Sequence, residues 1–309
     1  MKAALCTAYG PPEVLQIRDV PDPVARDNGV VIRIRAAAVV ASDVYMRSGL
    51  PNAPLISRII VRVGIGFLRP RNPILGAALS GEIESIGKNV TQYRVGDRVW
   101  AFTTIRFGCY AQRIRLPAKL KLLAPSPANL SHDEVATIPY GGLLALSFIK
   151  RAKIQRGENV VIYGASGAIG TVALQLAKHL GAKVTGVCST ANLDLVRSLG
   201  ADAVLDYTRD AVPTDARYDL VFDAVGRKKT SAMKIALSTA LTATGRCVGV
   251  DDALPRPGRA DLDYLRDLAE AGTLKPVVDR RYSLEDVVEA HRYVELGHKK
   301  GNVLLTMAG

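Results

Sequence analysis

Cysteine and histidine are scarce in this sequence, four of each, and neither is clustered. Cys6, Cys109, Cys188 and Cys247 lie far apart with no Cys-x-x-Cys pair, which excludes a zinc ribbon and a dense disulfide framework. Aromatic residues make up only 6% of the chain and seldom stand between the basic clusters Arg33/Arg35, Arg69/Arg71, Arg113/Arg115, Lys119/Lys121, Lys228/Lys229 and Lys299/Lys300. A nucleic-acid binder concentrates its charge and interleaves it with stacking residues, so no nucleic-acid partner is expected. Acidic residues are in deficit, 29 against 41 basic, and the formal charge of +12 favours anionic ligands such as phosphates. Long apolar runs are lacking too. Leu55–Leu68 is the one stretch that invites a membrane reading, but it carries Arg58 and Arg62 and falls short of the roughly 20 apolar residues needed to span a bilayer. Its stripe of Leu55, Ile59, Val63 and Phe67 reads as an amphipathic helix or lid packed within the molecule, with surface association the minor reading. The start, Met1-Lys2-Ala3-Ala4-Leu5, runs into a strand pattern with no apolar block or small-residue cleavage site, so a cytoplasmic protein is expected.

What is present is a globular composition, 48% hydrophobic and 23% charged over 309 residues, enough for two domains. From Val30 to about Leu122 short strands alternate with Gly, Pro and Asp turns, including Val30–Ile34, Ser80–Gly87 and Gly96–Trp100, as in an all-β unit. After Pro125-Ser126-Pro127 the pattern changes. Helical spacing begins at Ser131, and apolar runs of three or four residues follow at Val160–Tyr163, Val184–Val187, Ala203–Leu205, Leu220–Phe222 and Cys247–Val250. Such runs read as parallel strands covered by helices on both faces. Ile169, Val172, Ala173, Leu176, Ala177 and Leu180 recur at helical spacing between the first two, giving β-α-β and a doubly wound sheet. Helices around Asp261–Ala271 and Leu284–Leu296 and a strand at Asn302–Thr306 complete the chain, and this tail is expected to return to the first domain.

The most informative turn is Gly164-Ala165-Ser166-Gly167-Ala168-Ile169-Gly170, between the first parallel strand and its helix. Small residues there let the chain bend sharply, approach a pyrophosphate and pack helix on strand. The helix N-terminus supplies N–H donors, and Ser166 adds a hydroxyl. A second strand about 20 residues on completes the context of a dinucleotide site. That strand ends in Cys188-Ser189-Thr190, where an NAD site usually presents an acid. With hydroxyls of Ser189 and Thr190 in its place, NADPH is expected over NADH. Arg197 adds charge to that corner or is an ordinary exposed helix residue, and Tyr207 flanks the adenosine or covers the core.

Several segments resemble one family: Gly81–Val90, Gly96–Val99, Ala136–Pro139, Gly164–Gly170, Leu199–Asp202, Phe222–Gly226 and Gly297–Leu304. Across nearly the whole chain they are similar to the zinc-independent, quinone-oxidoreductase-like branch of the medium-chain dehydrogenase/reductases. The resemblance implies an α/β protein with a GroES-like β-rich catalytic domain at 1–123, a Rossmann NADPH-binding domain with a doubly wound parallel sheet at 124–255, and a C-terminal segment, 256–309, returning to the first. It also implies that Gly226, Gly249 and Val250 approach the nicotinamide half, and Ser189, Thr190 and Tyr207 the adenine half. Where zinc-dependent relatives carry Cys and His-Glu ligands, this chain has Val40 and Ala77-Ala78, which offer no donors, so no metal is expected.

Without a Lewis acid, reduction of a polarised acceptor is easier than alcohol oxidation. The expected activity is hydride transfer from NADPH to a small hydrophobic quinone or to the conjugated C=C bond of an enone or enal. A specialised biosynthetic oxidoreductase and a non-catalytic, NADPH-responsive binding protein are the alternatives. Tyr45 resembles a cleft tyrosine that binds or protonates a carbonyl oxygen, with packing as its other reading; Ser42 either meets substrate or caps a helix, and Asp43 caps or pairs structurally. Many relatives have Asn at Val40 and Asp at or near Ala78, so the pocket here is more apolar. Relatives often form a homodimer through an added edge strand, for which the short passage from Asp251 to the Asp261 helix leaves little room.

Overall fold

The computed structural model describes residues 1–50, 59, 62–226, 231–252 and 256–307. Its contacts divide the chain into two units, Met1–Tyr140 with Val278–Gly309, and Gly141–Val277. The first begins with β1 (Lys2–Cys6), β2 (Leu15–Asp19), β3 (Gly29–Val39), α1 (Ala41–Ser48), β4 (Ala78–Ile86), β5 (Arg98–Phe102), β6 (Arg113–Pro117) and β7 (Leu123–Pro125). Helix α2 (His132–Ala152) then carries the chain into the second unit. That unit holds β8 (Asn159–Tyr163), α3 (Ala168–His179), β9 (Lys183–Cys188), α4 (Leu193–Ser198), β10 (Ala203–Asp206), β11 (Tyr218–Asp223), α5 (Ala232–Thr239), β12 (Leu241–Gly249) and α6 (Arg259–Glu270). The chain re-enters the first unit as β13 (Val278–Ser283), α7 (Val287–Glu295) and β14 (Asn302–Thr306).

In the first unit β1 and β2 pair antiparallel. A seven-stranded sheet runs β13-β14-β3-β4-β5-β7, and β6 also pairs with β3. The eleven-residue β3 is long enough for two partners on one edge: β6 lies against Gly29–Arg33 and β14 against Ala36–Val39. Ile32, Ile34, Leu79, Ile83, Val99 and Leu123 lie in its buried core. Of the tail expected to return, 256–309, the part from Val278 onward belongs to this unit, with β14 against β3, whereas residues 256–277 belong to the second. The GroES-like unit and a mixed α/β chain stand as read.

The second unit is a five-stranded parallel sheet in the order β10-β9-β8-β11-β12. Val160–Tyr163 of β8 are all buried, as expected of a strand covered on both faces. The order reverses between β8 and β11, and such a switch point opens a crevice at the carboxyl ends of the strands.

The expected boundaries at 123/124 and 255/256 differ from the observed division at 140/141 and 277/278. Tyr140 and Gly141 both lie inside α2, and a helix that runs through a boundary leaves no turn or change of composition to read. Of the expected helix at Leu55–Leu68, residues 51–58, 60 and 61 lie outside the described residues. Residues 62–65 are helical, but Ile59, Val63 and Phe67 are exposed, contrary to the packed stripe expected. Periodicity identifies an apolar face without naming what covers it.

Candidate functional site

The turn after β8 is built around three glycines with separate tasks. Gly164 has φ +81°, and a Cβ there would stand 2.5 Å from Val225 Cγ2. At Gly170 a Cβ would meet the Gly164 carbonyl oxygen at 2.0 Å, so its absence lets α3 pack onto the turn. Gly167 is different: the nearest atom to a Cβ there is the Gly164 oxygen at 3.5 Å, an ordinary contact without a clash. Gly167 is also the N-cap of α3 and supplies no side-chain cap. The first-turn N–H groups of Ala168, Ile169 and Gly170 therefore remain available to an anion, aided by the helix dipole. This cradle fits the diphosphate of a dinucleotide.

Asn192, in the 3-10 turn after β9, ties this turn to the next. Its Nδ2 donates to Ser166 Oγ at 3.1 Å and to Ser189 Oγ at 3.3 Å. A serine that accepts through its oxygen keeps its own proton to donate, so both hydroxyls remain donors. Nothing in the local pattern marked Asn192. The same corner also holds a carboxylate, contrary to expectation: Asp206, at the end of β10, accepts from the Thr190 hydroxyl, and from Thr208 Oγ1 at 2.6 Å and Thr208 N–H at 2.9 Å. Those hydroxyls hold its pKa below the usual range. Arg197 forms an ion pair with Asp194 of its own helix at 3.0 Å, the exposed-helix arrangement. Tyr207 is 42% exposed, and its N–H donates to Cys188 O at 3.1 Å.

Beyond β11, Asp223 organises the residues expected near the nicotinamide. Its Oδ1 accepts from Val225 N–H and Gly226 N–H at 3.0 and 3.1 Å, and Oδ2 pairs with Lys234 at 2.5 Å. The Asp223 carbonyl accepts Val250 N–H at 3.1 Å, while Gly249 N–H donates to Asp252 at 2.7 Å. Gly226 has φ +94°, and a Cβ there would lie 2.7 Å from Asp251 Oδ2.

In the first unit the helix-capping role falls to Asp43. Its Oδ2 accepts Val40 N–H at 3.1 Å and the Tyr110 hydroxyl at 2.8 Å. Complete burial raises its pKa to about 7. Tyr140, a residue without a sequence signal, stands edge-on to Phe102 with ring centroids 5.9 Å apart, and burial pushes its hydroxyl pKa up to about 12, with the Ser42 side chain opposing the shift. Tyr45 is 50% exposed. Val40 and Ala78 lie in a buried apolar cluster with Ala36, Ala38, Ala136 and Leu304, against which Phe102 and Tyr140 pack. Among the described residues no three His, Cys, Asp or Glu side chains are grouped to hold a metal.

A buried polar cluster backs α1. Arg47 is fully buried and pairs with Glu295 of α7, and the Tyr110 ring meets His291 edge-on at 5.7 Å. Burial, with Arg47 nearby, lowers the His291 pKa to about 3.

Family models match three segments: an alcohol dehydrogenase GroES-like domain over residues 26–128, and zinc-binding dehydrogenase over 168–252 and 248–305. The mitochondrial NAD(P)H oxidoreductase RTN4IP1 of Mus musculus is 29% identical, with 99% of this chain and 89% of the relative covered. The chloroplastic NADPH-dependent alkenal/one oxidoreductase of Arabidopsis thaliana is also 29% identical, over 99% of this chain and 79% of the relative. The quinone oxidoreductase structure from Coxiella burnetii covers all of this chain and 99% of its own, with 26% identity and a TM-score of 0.84. With the glycine cradle, the five-stranded parallel sheet and the GroES-like unit, these likenesses identify the chain as an oxidoreductase of the medium-chain dehydrogenase/reductase superfamily, in its quinone-oxidoreductase-like branch.

Proposed function

We propose that the protein transfers hydride from NADPH to a quinone, or to the conjugated C=C bond of a small hydrophobic enone or enal, with no metal taking part. The observation that carries this reading is the packing at Val40 and Ala78: the positions that supply ligands in zinc-dependent relatives are buried among alanines and Leu304 and offer no donor atom. An acceptor polarised by its own conjugation suits such a site. The relatives named for alkenal/one and quinone reduction support the same class.

When bound, the reduced pyridine ring supplies the hydride. The protein's own residues hold and orient. The first-turn N–H groups of α3 and the Ser166 hydroxyl bind the diphosphate, Ser189 and Thr190 the adenosine half, and Gly226, Gly249 and Val250 leave room for the nicotinamide half. Tyr45 donates a proton to the oxygen of the enolate or hydroquinone anion that hydride addition produces, and Ser42 hydrogen-bonds the carbonyl. Fixing donor and acceptor in one geometry is the main source of rate.

No helix among the described residues is long and apolar enough to cross a membrane. Cys6, Cys109 and Cys188 are buried as thiols, which suits a reducing compartment, and we propose the cytoplasm. Assembly as a homodimer is left to a contact other than an added edge strand. The deciding experiment follows NADPH oxidation with a panel of quinones, enones and 2-alkenals, with and without a chelator. Saturable, chelator-insensitive turnover is expected; nucleotide binding with no turnover across the panel would replace this reading with that of a non-catalytic binding protein.

A further inference from the structure

The first unit carries an open groove of about 660 Å3 between the segment 26–29, the 3-10 turn Thr104–Arg106 and the end of β6. Arg26, Asn28, Arg106 and Arg115 line it, and a hollow of about 400 Å3 shares Arg106 and Arg115 and extends toward Asn72 and Arg113. No lining residue belongs to α1 or to the nucleotide turn. We propose that this groove is a second anion site, which binds a small molecule carrying two or more phosphate groups through Arg26, Arg106 and Arg115.

The charge balance is the first support. Arg113 is already committed to Glu84 at 2.7 Å and Asp22 at 3.2 Å. Among the described residues, Arg26, Arg106 and Arg115 have no acidic partner. Asp27, the one carboxylate in the lining of the larger groove, pairs with Lys88 at 3.0 Å. Three arginines thus line one concavity with no acidic partner of their own among the described residues, and their mutual repulsion is relieved when an anion enters.

The second support is that the arginines sit on fixed backbone. Arg115 lies on β6, in register with Val31 of β3. Arg106 ends a turn bounded by Thr104 at φ +54° and Phe107 at φ +52°, a conformation that branched and bulky residues avoid and that is retained chiefly at functional positions. Asn72 holds this turn, donating from Nδ2 to Arg106 O at 2.6 Å while its Oδ1 accepts Ile74 N–H at 3.1 Å. Planar guanidinium forks match pairs of phosphate oxygens, and several on rigid supports select clustered phosphates over a single one. The groove's volume suits a molecule of metabolite size.

The test is calorimetric titration of the full chain, saturated with NADP, with inorganic tripolyphosphate in one arm and fructose 1,6-bisphosphate in the other. Saturable binding of either is expected, and the better titrant tells whether free polyphosphate or a phosphate ester fits. Arg106→Gln with Arg115→Gln should weaken it at least tenfold without changing the thermal midpoint or the NADPH affinity, and Asp27→Asn should tighten it about twofold. The proposal is overturned if neither titrant binds, if the double variant binds as the wild type does, or if excess NADPH displaces the titrant. Tighter binding of a single-stranded RNA decamer than of both titrants would also overturn it, in favour of a nucleic-acid surface.

Discussion

Asn192 donates one hydrogen bond to Ser166 across 26 residues of sequence, at 3.1 Å, and so joins the glycine turn to the corner proposed to receive the adenosine. A nearly buried amide in that position fixes two hydroxyls at once. Asn192→Ala removes two hydrogen bonds worth about 1 kcal/mol each, and is expected to weaken NADPH binding about tenfold, measured by quenching of protein fluorescence. Unchanged affinity would show that the two serines orient themselves without the amide.

Asp206 bears on the proposed cofactor preference. Its carboxylate sits with the Thr190 and Thr208 hydroxyls at the corner proposed to meet the adenosine ribose. The proposed preference for NADPH therefore works against a nearby negative charge. Asp206→Asn should raise the ratio of kcat/KM for NADPH over NADH by about 5–10-fold, because a negative charge close to the added phosphate is removed. If the ratio stays put, the carboxylate is clear of the ribose and the threonines shield it.

The three turn glycines should separate by experiment. Gly170→Ala drives a Cβ against the Gly164 carbonyl at 2.0 Å and is expected to destabilise the fold by about 2–4 kcal/mol, seen in chemical denaturation. At Gly167→Val the added Cβ meets its nearest neighbour at an ordinary contact distance, so the thermal midpoint should hold while nucleotide affinity falls at least tenfold. Loss of stability in the second variant would mean that Gly167 serves the fold and leaves the ligand to other residues.

Tyr45 carries the proposed proton transfer and Ser42 the hydrogen bond to the carbonyl. A positioned acid typically contributes about 10²–10⁴-fold, so Tyr45→Phe should lower kcat by at least about 100-fold with little change in KM. Ser42→Ala should cost about tenfold, mostly in KM, if its hydroxyl holds the carbonyl. Equal activity in Tyr45→Phe assigns the proton to solvent.

The buried groups behind α1 give opposing pH dependences. Asp43 titrates at about 7 in the folded chain, well above an ordinary carboxyl, so between roughly pH 4 and 7 the folded state binds more protons than the unfolded one and stability falls as pH rises. His291 titrates at about 3, below the usual imidazole, so stability falls as pH drops from roughly 6.5 towards 3. Over their shared window the two slopes oppose each other, each amounting to at most about 1.4 kcal/mol per pH unit. Denaturation at pH 4.5, 6 and 8 should show Asp43→Asn losing stability only towards acid, and His291→Phe losing it only towards alkali. Parallel profiles in the two variants and the wild type would rule out both assignments.

Much of this is legible in the sequence. β14 falls on the expected residues 302–306, and α3 at 168–179 is one residue from the helix read at 169–180, because buried strands and amphipathic helices write their period into the chain. The Gly164–Gly170 turn could be read because its three glycines are local to one bend. Asn192, Asp206 and Tyr140 could not, since each acts on a residue from another loop or element and no periodicity links Thr190 to Asp206. The expected domain limits missed for a related reason: α2 passes through the division as one unbroken helix.

The place of β14, hydrogen-bonded between β3 and β13, has a consequence for synthesis of the chain. Residues 141–277 form a contiguous stretch that can complete its sheet while translation continues, whereas the N-terminal strands must wait for residues 302–306 to emerge from the ribosome. Throughout that interval the Ala36–Val39 edge of β3 lacks its neighbour and is open to wrong partners, which makes the earliest-made part of the polypeptide the last to mature.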